Sequence, residues 1–232
     1  MSIFGTSFQR MFKCSGIDSM LRFWQVIAIN TFVIVHFAAA HAYGSEEVED
    51  LIDIFESNGE IVAVVEGKKS VAFSLRPNEN VQWSRAKGNL GAFLTNRHFF
   101  VVSTSSHGWN RLPLRPGNAR KRIPVLSANI ALLVEGDRAF GFNTTSKRFV
   151  RVNLPLYDEI VAAKAEKYVA VVVTSSKAYG LSAGASQFSE IRLGVREAVK
   201  NVKLTSSKVT IRTSHRILSF RGEDSNWNEH RL

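Results

Sequence analysis

A basic side chain recurs at one position in five similar segments of the sequence. Each segment reads as a strand, a tight turn and a second strand, and the base follows the centre of the turn by two residues: Lys69, His98, Arg138, Lys177 and Arg216. If the five turns lie on one face of a closed array, these bases form a ring of positive charge. The pattern therefore predicts a site for an anionic ligand, provided that the bases have no partners within the protein.

An acidic side chain recurs 17 residues before the centre of the turn in four of the five segments, where the third has Ala119: Asp50, Glu79, Asp158 and Glu197. In the predicted array these acids lie on the same face as the bases. Each acid could therefore pair with a base, which would leave no ring for a ligand. We favour structural pairing, although exposed pairs of this kind contribute only about 0.2 to 1 kcal/mol each.

The third segment carries a cluster of bases in the loop between Pro113 and Pro124: Arg115, Arg120, Lys121 and Arg122. This basic patch could contact a phosphate, a lipid head group or an acidic protein. Solvated basic loops are common, however, and the charges alone do not choose between these interpretations.

No motif in the sequence assigns a catalytic residue, a cofactor or a metal site. The nucleophile elbow, the phosphate-binding loop, the dinucleotide fingerprint and the zinc-protease motif are all missing. His98 and His107 lie close in sequence but have no third ligand nearby. We expect a protein without enzymatic activity. A hydrolase that uses the four recurring acids at a central channel is the least favoured alternative.

The elements that position these residues are short strands. Strand, turn and strand occupy residues 61–75, 90–103, 130–142, 168–181 and 208–220, and apolar residues alternate along them. A further strand precedes each pair, and an aromatic residue opens a fourth strand after it in four copies. The turn centres are 29, 40, 39 and 39 residues apart. The short first interval predicts that the first copy lacks its outermost strand.

Four short strands in about 39 residues resemble the blade repeat of β-propellers in general, without the signature of a particular family. The resemblance covers residues 47–232. It implies an all-β fold, a five-repeat β-propeller with a short first blade, closed into a ring by packing between blade faces. The alternative is an open arc of blades that is completed by dimerisation.

The N-terminus resembles an export signal. Residues 23–40 are mostly apolar, Arg22 precedes them, and Ala40-His41-Ala42 is a small-x-small cleavage site. We therefore expect residues 1–42 to be a leader and secretory signal, with translation starting at Met1 or Met20, and residues 43–232 to be a single propeller domain. The protein is then periplasmic or secreted and has no membrane span after cleavage. The alternative is a membrane anchor formed by an uncleaved leader.

The charge balance limits the class of partner. The chain has 30 Lys and Arg against 20 Asp and Glu, a formal net charge of +10. A positive field favours an anionic or protein partner, and we expect neither nucleic acid nor a cofactor. The first hypothesis is an exported, non-enzymatic binding or scaffolding module that uses one propeller face. A carbohydrate-binding propeller is the alternative.

Overall fold

The computed structural model describes residues 49–68, 70–117 and 122–232, and the described part of the chain consists of strands and turns without a helix. The leader predicted for residues 1–42 lies outside the described residues. Within them, no helix is long and apolar enough to cross a membrane.

The strands form five antiparallel sheets, which we call blades 1 to 5 in chain order. Blade 1 contains β1 (Ile52–Ser57), β2 (Glu60–Val65) and β3 (Val71–Ser74). Blade 2 contains β4 (Val81–Lys87), β5 (Leu90–Thr95), β6 (His98–Ser103) and β7 (Asn110–Pro113). Blade 3 contains β8 (Arg122–Leu126), β9 (Ile130–Glu135), β10 (Arg138–Asn143) and β11 (Phe149–Asn153). Blade 4 contains β12 (Ile160–Glu166), β13 (Val169–Thr174), β14 (Lys177–Ser182) and β15 (Ser189–Arg192). Blade 5 contains β16 (Val199–Leu204), β17 (Lys208–Thr213), β18 (Arg216–Arg221) and β19 (Trp227–Arg231).

Each blade is an up-and-down sheet in which every strand pairs with the next one along the chain. The first strands of blades 2 to 5 contact one another in succession, β4 with β8, β8 with β12 and β12 with β16. They therefore surround a common axis, and the last strand of each blade is outermost. This is the β-propeller architecture that the repeat predicts.

Apolar clusters join neighbouring blades. They lie between blades 1 and 2, blades 2 and 3, blades 3 and 4, and blades 4 and 5. The second strands of the three middle blades, β5, β9 and β13, are buried along their whole length because another blade covers each face. Face-to-face packing of sheets therefore holds the blades together.

Within the part of the chain that the structure describes, the two end blades are each covered on one face only. In β2 and β17 buried residues alternate with residues that are not buried, and the outer face of blade 1 exposes 56% of Phe55 and 41% of Val64. No apolar cluster of the described residues joins blade 5 to blade 1. As far as the described residues go, the five blades thus form an open arc, which is the alternative that we gave to a closed ring.

Backbone hydrogen bonds correct the register that we expected for blade 1. The N–H of Leu75 donates to the carbonyl of Gly59, and the same bond recurs at the end of every later blade, from Leu114, Leu154, Leu193 and Leu232. These leucines are spaced by 39, 40, 39 and 39 residues. Blade 1 is therefore not shifted: β1 to β3 correspond to the second, third and fourth strands of the other blades.

Among the described residues, blade 1 consequently lacks the innermost strand and not the outermost one. A side-chain bond agrees, because the indole N–H of Trp109 donates to Val71 O at 3.2 Å, as Trp227 does to Ser189 O at 3.1 Å. Both acceptors open an outermost strand. The counterpart of the Asn96 turn is Asn58-Gly59, where both residues have positive φ angles, 51° and 76°. Gly67 is not that counterpart.

Candidate functional site

The predicted acid and base meet in blades 2 and 5. In blade 2, His98 Nδ1 lies 2.9 Å from Glu79 Oε1, and the hydroxyl of Thr95 donates to the same oxygen at 2.7 Å. In blade 5, Arg216 donates to both oxygens of Glu197, from Nε at 2.9 Å and from Nη2 at 3.0 Å. These two bases are already bound to carboxylates of their own blade.

Hydrogen bonds keep these carboxylates ionised. Burial raises the pKa of Glu197, but bonds from Arg216, Thr213 and the backbone N–H of Gly194 outweigh burial and lower the pKa from 4.5 to about 2. Burial raises the pKa of Glu79 too, and the bonds from His98 and Thr95 bring it below its ordinary value. Neither carboxylate is suited to donate a proton near neutral pH, which argues against a general acid here.

Blade 4 separates the predicted acid and base. Asp158 accepts bonds from the hydroxyls of Thr174 at 2.6 Å and Ser176 at 2.5 Å, and from the Ser176 N–H at 3.1 Å. Burial opposes ionisation, but these bonds hold the pKa of Asp158 below its ordinary value. Lys177 turns away and pairs with Glu190 on the outermost strand at 3.2 Å.

Blade 3 has Ala119 where the other segments have the recurring acid, and a glutamate on its second strand takes over that role. Glu135, which is fully buried, occupies the position of Thr95, Thr174 and Thr213 in the other blades. Its carboxylate pairs with Arg138 and with Arg122 Nε, the latter at 3.4 Å, and accepts the backbone N–H of Arg115 at 2.9 Å. The Arg115 side chain pairs with Asp137 at 3.0 Å. Two members of the predicted basic patch are therefore engaged within the blade, and Arg120 and Lys121 lie outside the described residues.

Blade 1 does not contribute to the ring as we expected. Asp50 accepts the backbone N–H of Gly88 at 2.6 Å. Gly88 belongs to the turn between β4 and β5, which lies at the opposite end of β4 from Glu79 and His98, so Asp50 is not part of the acidic register. Lys69 lies outside the described residues. In the corrected register Glu60 occupies the position of the bases.

A different set of cations lines the axis. The first strands of blades 2 to 5 line an open cavity of about 510 Å³. Among the described residues, its charged lining consists of four cations and one acid: Arg85, Lys87, Lys164, Lys203 and Glu166. We call this cavity the axial channel. Its net positive charge can attract an anionic group, while its single carboxylate offers no acid pair for hydrolysis.

Among the described residues, the cations of the axial channel form no salt bridge with an acidic side chain. Lys164 Nζ donates to Val202 O at 2.9 Å, a contact that leaves its charge uncompensated. Within the described part of the chain, no acid forms a salt bridge with Arg85, Lys87 or Lys203. All four residues are exposed to solvent. They differ in this respect from the bases at the hairpin turns.

The sequence contains a signal for the axial channel that we did not use. Counting five residues back from the first residue of each second strand gives Arg85, Val125, Lys164 and Lys203 in blades 2 to 5. These first residues are Leu90, Ile130, Val169 and Lys208. The recurrence is recognisable only when positions inside the first strands, and not just their opening residues, are compared between copies.

The recurring tryptophans are packing residues and not an exposed platform for a sugar. The indole N–H groups of Trp109 and Trp227 are bonded to the preceding blade, and Trp109 lies edge-on to Phe93 at a ring distance of 4.8 Å. The described residues also contain no group of three or more His, Cys, Asp or Glu that could hold a metal ion. These observations leave the axial channel as the candidate site.

Comparison with known proteins gives a fold likeness only. No protein-family model matches, and no curated protein matches. Among solved structures, the chain is similar to Prp20p of Saccharomyces cerevisiae, whose binding to Gsp1p and histones has been described: 10% identity, a TM-score of 0.43, and coverage of 76% of this chain and 57% of that one. It is also similar to PorZ, a surface component of the type-IX secretion system of Porphyromonas gingivalis, at 10% identity and a TM-score of 0.39, over 80% of this chain and 27% of that one. AztD of Citrobacter koseri gives 10% identity and a TM-score of 0.36, over 76% and 57%. The chain thus spans less than two thirds of each of these proteins.

Proposed function

We propose that this protein is an exported, non-enzymatic binding module whose axial channel binds an acidic segment of a partner protein. The observation that carries the proposal is the recurrence of Arg85, Lys164 and Lys203 at one position of three first strands, where all three residues line one cavity. Three positive charges that converge on one axis create a field that a single surface base does not.

The size and chemistry of the axial channel fit an extended acidic segment better than the surface of a folded protein. A volume of about 510 Å³ admits a few residues of an extended segment. The cations lie at several depths along the axis, since Lys87 follows Arg85 by two positions on β4 and both line the cavity. Carboxylates two residues apart on an extended peptide have the same spacing. A run of Asp or Glu is therefore the ligand that we propose.

Charge reversal in the axial channel tests the proposal. We expect a fluorescent polyglutamate peptide of about ten residues to bind, and Arg85→Glu with Lys164→Glu to weaken binding at least about tenfold, because two attractive charges become repulsive. Binding should also weaken as salt is raised from about 0.05 to 0.5 M. Fluorescence anisotropy measures both effects.

The matched control is Lys200→Glu. Lys200 is an exposed base on β16, the strand that carries Lys203, but it does not line the cavity. For each unit of charge that the substitution changes, we expect the affinity for the peptide to fall by no more than about twofold, because only the general electrostatic field of the protein is altered. Equal losses in the control and in the channel variants would contradict the proposal, as would a peptide that does not bind at all.

Export is proposed from the N-terminal sequence alone. The apolar residues 23–40 and the Ala40-His41-Ala42 site support it. When the full chain is expressed in a bacterium, we expect mature protein outside the cytoplasm to begin at Tyr43, as N-terminal sequencing would show. Protein that retains residues 1–42 in the membrane fraction would indicate the uncleaved anchor instead.

A further inference from the structure

The outer face of blade 1 carries apolar residues at positions that every other blade buries. Phe55 corresponds to Phe93, Leu133, Val172 and Ile211, and Val64 corresponds to Val102, Phe142, Leu181 and Phe220. All eight counterparts have a relative exposure of 0%, whereas Phe55 is 56% exposed and Val64 is 41% exposed. In blades 2 to 5 these positions pack on the preceding blade. Blade 1 therefore presents the surface that normally receives a neighbour.

The outer face of blade 5 has a different character. At the positions where blades 2 to 4 bury apolar residues against the next blade, β17 has Lys208, Thr210 and Arg212. Lys208 takes the place of Leu90, Ile130 and Val169, which are fully buried in their blades. Arg221 lies opposite Lys208 on the same face, and Lys203 lies opposite Thr210. This face is polar and positively charged.

The outer face of blade 1 has the opposite charge. Asp53 and Glu60 point to the same side as Phe55, Val62 and Val64, since side chains alternate along β1 and β2 and paired residues share a face. The strand residues on this side include no base. An acidic and apolar face at one end of the arc thus complements a basic face at the other end.

The contacts between blades within the chain say which residues would meet. A Cβ placed on Gly91, the second residue of β5, would lie 2.9 Å from Ile52 Cγ2. Ile52 is the first residue of β1, which is the equivalent strand of the preceding blade. The first residue of this strand in one blade therefore lies over the second residue of the same strand in the next blade. The same register places Lys208 over the position of Asp53. A Cβ on Gly180 would lie 2.7 Å from the ring of Phe220, and this register places the small Ser219 over the position of Val64.

We infer that blade 5 of one copy of this chain docks on blade 1 of a second copy, with Lys208 beside Asp53 of that second copy. The contact repeats the packing that the chain already uses between its own blades. It joins two different faces, so it is heterologous, and two copies that contact each other twice would close a ring. A second copy is the occupant because the faces match in charge and register but lie at the two ends of an open arc.

Disulfide trapping between two variants tests this docking. Cys14 is the only cysteine of the chain, so Cys14→Ser gives a background without thiols. In it, Asp53→Cys and Lys208→Cys are purified separately, mixed in reductant to allow exchange of subunits, and then oxidised. We expect a covalent product with the mass of two chains in the mixture, and much less of it from either variant alone. Lys208→Cys mixed with Tyr157→Cys is the control, because Tyr157 is fully exposed on another part of the arc.

The double variant Asp53→Cys/Lys208→Cys distinguishes a second copy from closure of one chain on itself. Covalent dimers and larger species support the inference, whereas a disulfide within a single chain would show that the arc closes alone and would overturn it. Absence of the mixed product, or a product that Asp53→Cys forms equally well by itself, would also overturn it. Charge exchange checks the result without thiols: Lys208→Asp should lower the mass in light scattering to one chain, and Asp53→Lys/Lys208→Asp should restore two. Circular dichroism melts show that each variant is folded.

Discussion

A threonine, a carboxylate and a base recur beside the hairpin turn of blades 2, 4 and 5. The hydroxyl donates to the acid in each case, and in blades 2 and 5 the base binds the same acid. Blade 3 has no acid at the position equivalent to Glu79, and Glu135 replaces the threonine with an acid of its own. In blades 2 to 5 the turn therefore has one hydrogen-bonded carboxylate beside it, which comes from the loop before the first strand or, in blade 3, from the second strand. Because these groups stabilise turns, the bases among them are poor candidates for a ligand.

Glu197 gives a prediction about acid stability. The pKa of Glu197 is about 2 in the folded protein against an ordinary 4.5, so its ionised form stabilises the fold above about pH 4.5, and this contribution is lost as the pH falls through about 2. The contribution is about 3 kcal/mol at most. Glu197→Gln should lower the melting temperature at pH 6 and show a smaller further decrease toward pH 2 than the wild type.

Glu229→Gln is the control for that measurement. Glu229 contacts the same Arg216, but its side chain is 53% exposed. Solvent screens such a pair, so we expect little change in the melting temperature at either pH. If Glu229→Gln and Glu197→Gln behave alike in calorimetry, the carboxylate of Glu197 does not hold the turn as we describe.

At the scale of the elements, close contact between blades 3 and 4 and between blades 4 and 5 depends on glycine in the third strand. Gly141 and Gly180 occupy the same position in β10 and β14, and the side chains of Leu181 and Phe220 from the next blade fill the space above them. Ser219 holds this position in blade 5, where no later blade follows among the described residues. The requirement for glycine therefore comes from the neighbouring blade and not from a turn.

Gly180→Ala should consequently destabilise the fold. Its Cβ would lie 2.7 Å from the ring of Phe220, and relieving that overlap costs about 1 to 3 kcal/mol. Gly184→Ala is the matched control, because a Cβ there has no atom within 4 Å. Urea unfolding should show a lower midpoint for Gly180→Ala alone. Equal midpoints for the two variants would mean that blades 4 and 5 are not packed this closely.

The sequence predicts where the strands lie better than it predicts which strand of one blade corresponds to which strand of another. Blades 2 to 5 were aligned correctly because turns at Asn96, Gly136, Ser175 and Ser214 carry the same alternation on both sides. Blade 1 was shifted because Gly67 also begins a turn between apolar strands, and Asn58-Gly59, the stronger hairpin signal, was not used. That shift wrongly placed Asp50 among the acids. Alternation reports that a strand is half-buried, but it does not report which strand of a blade it is.

At the scale of the whole molecule, two properties depend on contacts that one repeat does not reveal. The axial channel is built from four first strands, so its charge is visible only after these strands are aligned. The open arc depends on whether blade 5 reaches blade 1, which no local pattern decides. Composition gave the sign correctly, since the positive net charge of +10 is consistent with the cations around the axis. Its distribution, basic at the channel and on blade 5 but acidic on blade 1, follows from the fold.

The most direct test of the binding role of the axial channel is a crystal structure of the protein soaked with a short glutamate peptide that carries a bromine atom. We predict an anomalous bromine peak at the axial channel and peptide carboxylates beside Lys164 and Lys203, while Glu197 and Arg216 remain paired. Peptide bound instead at the hairpin turns, with His98, Lys177 or Arg216 released from their carboxylates, would contradict the account.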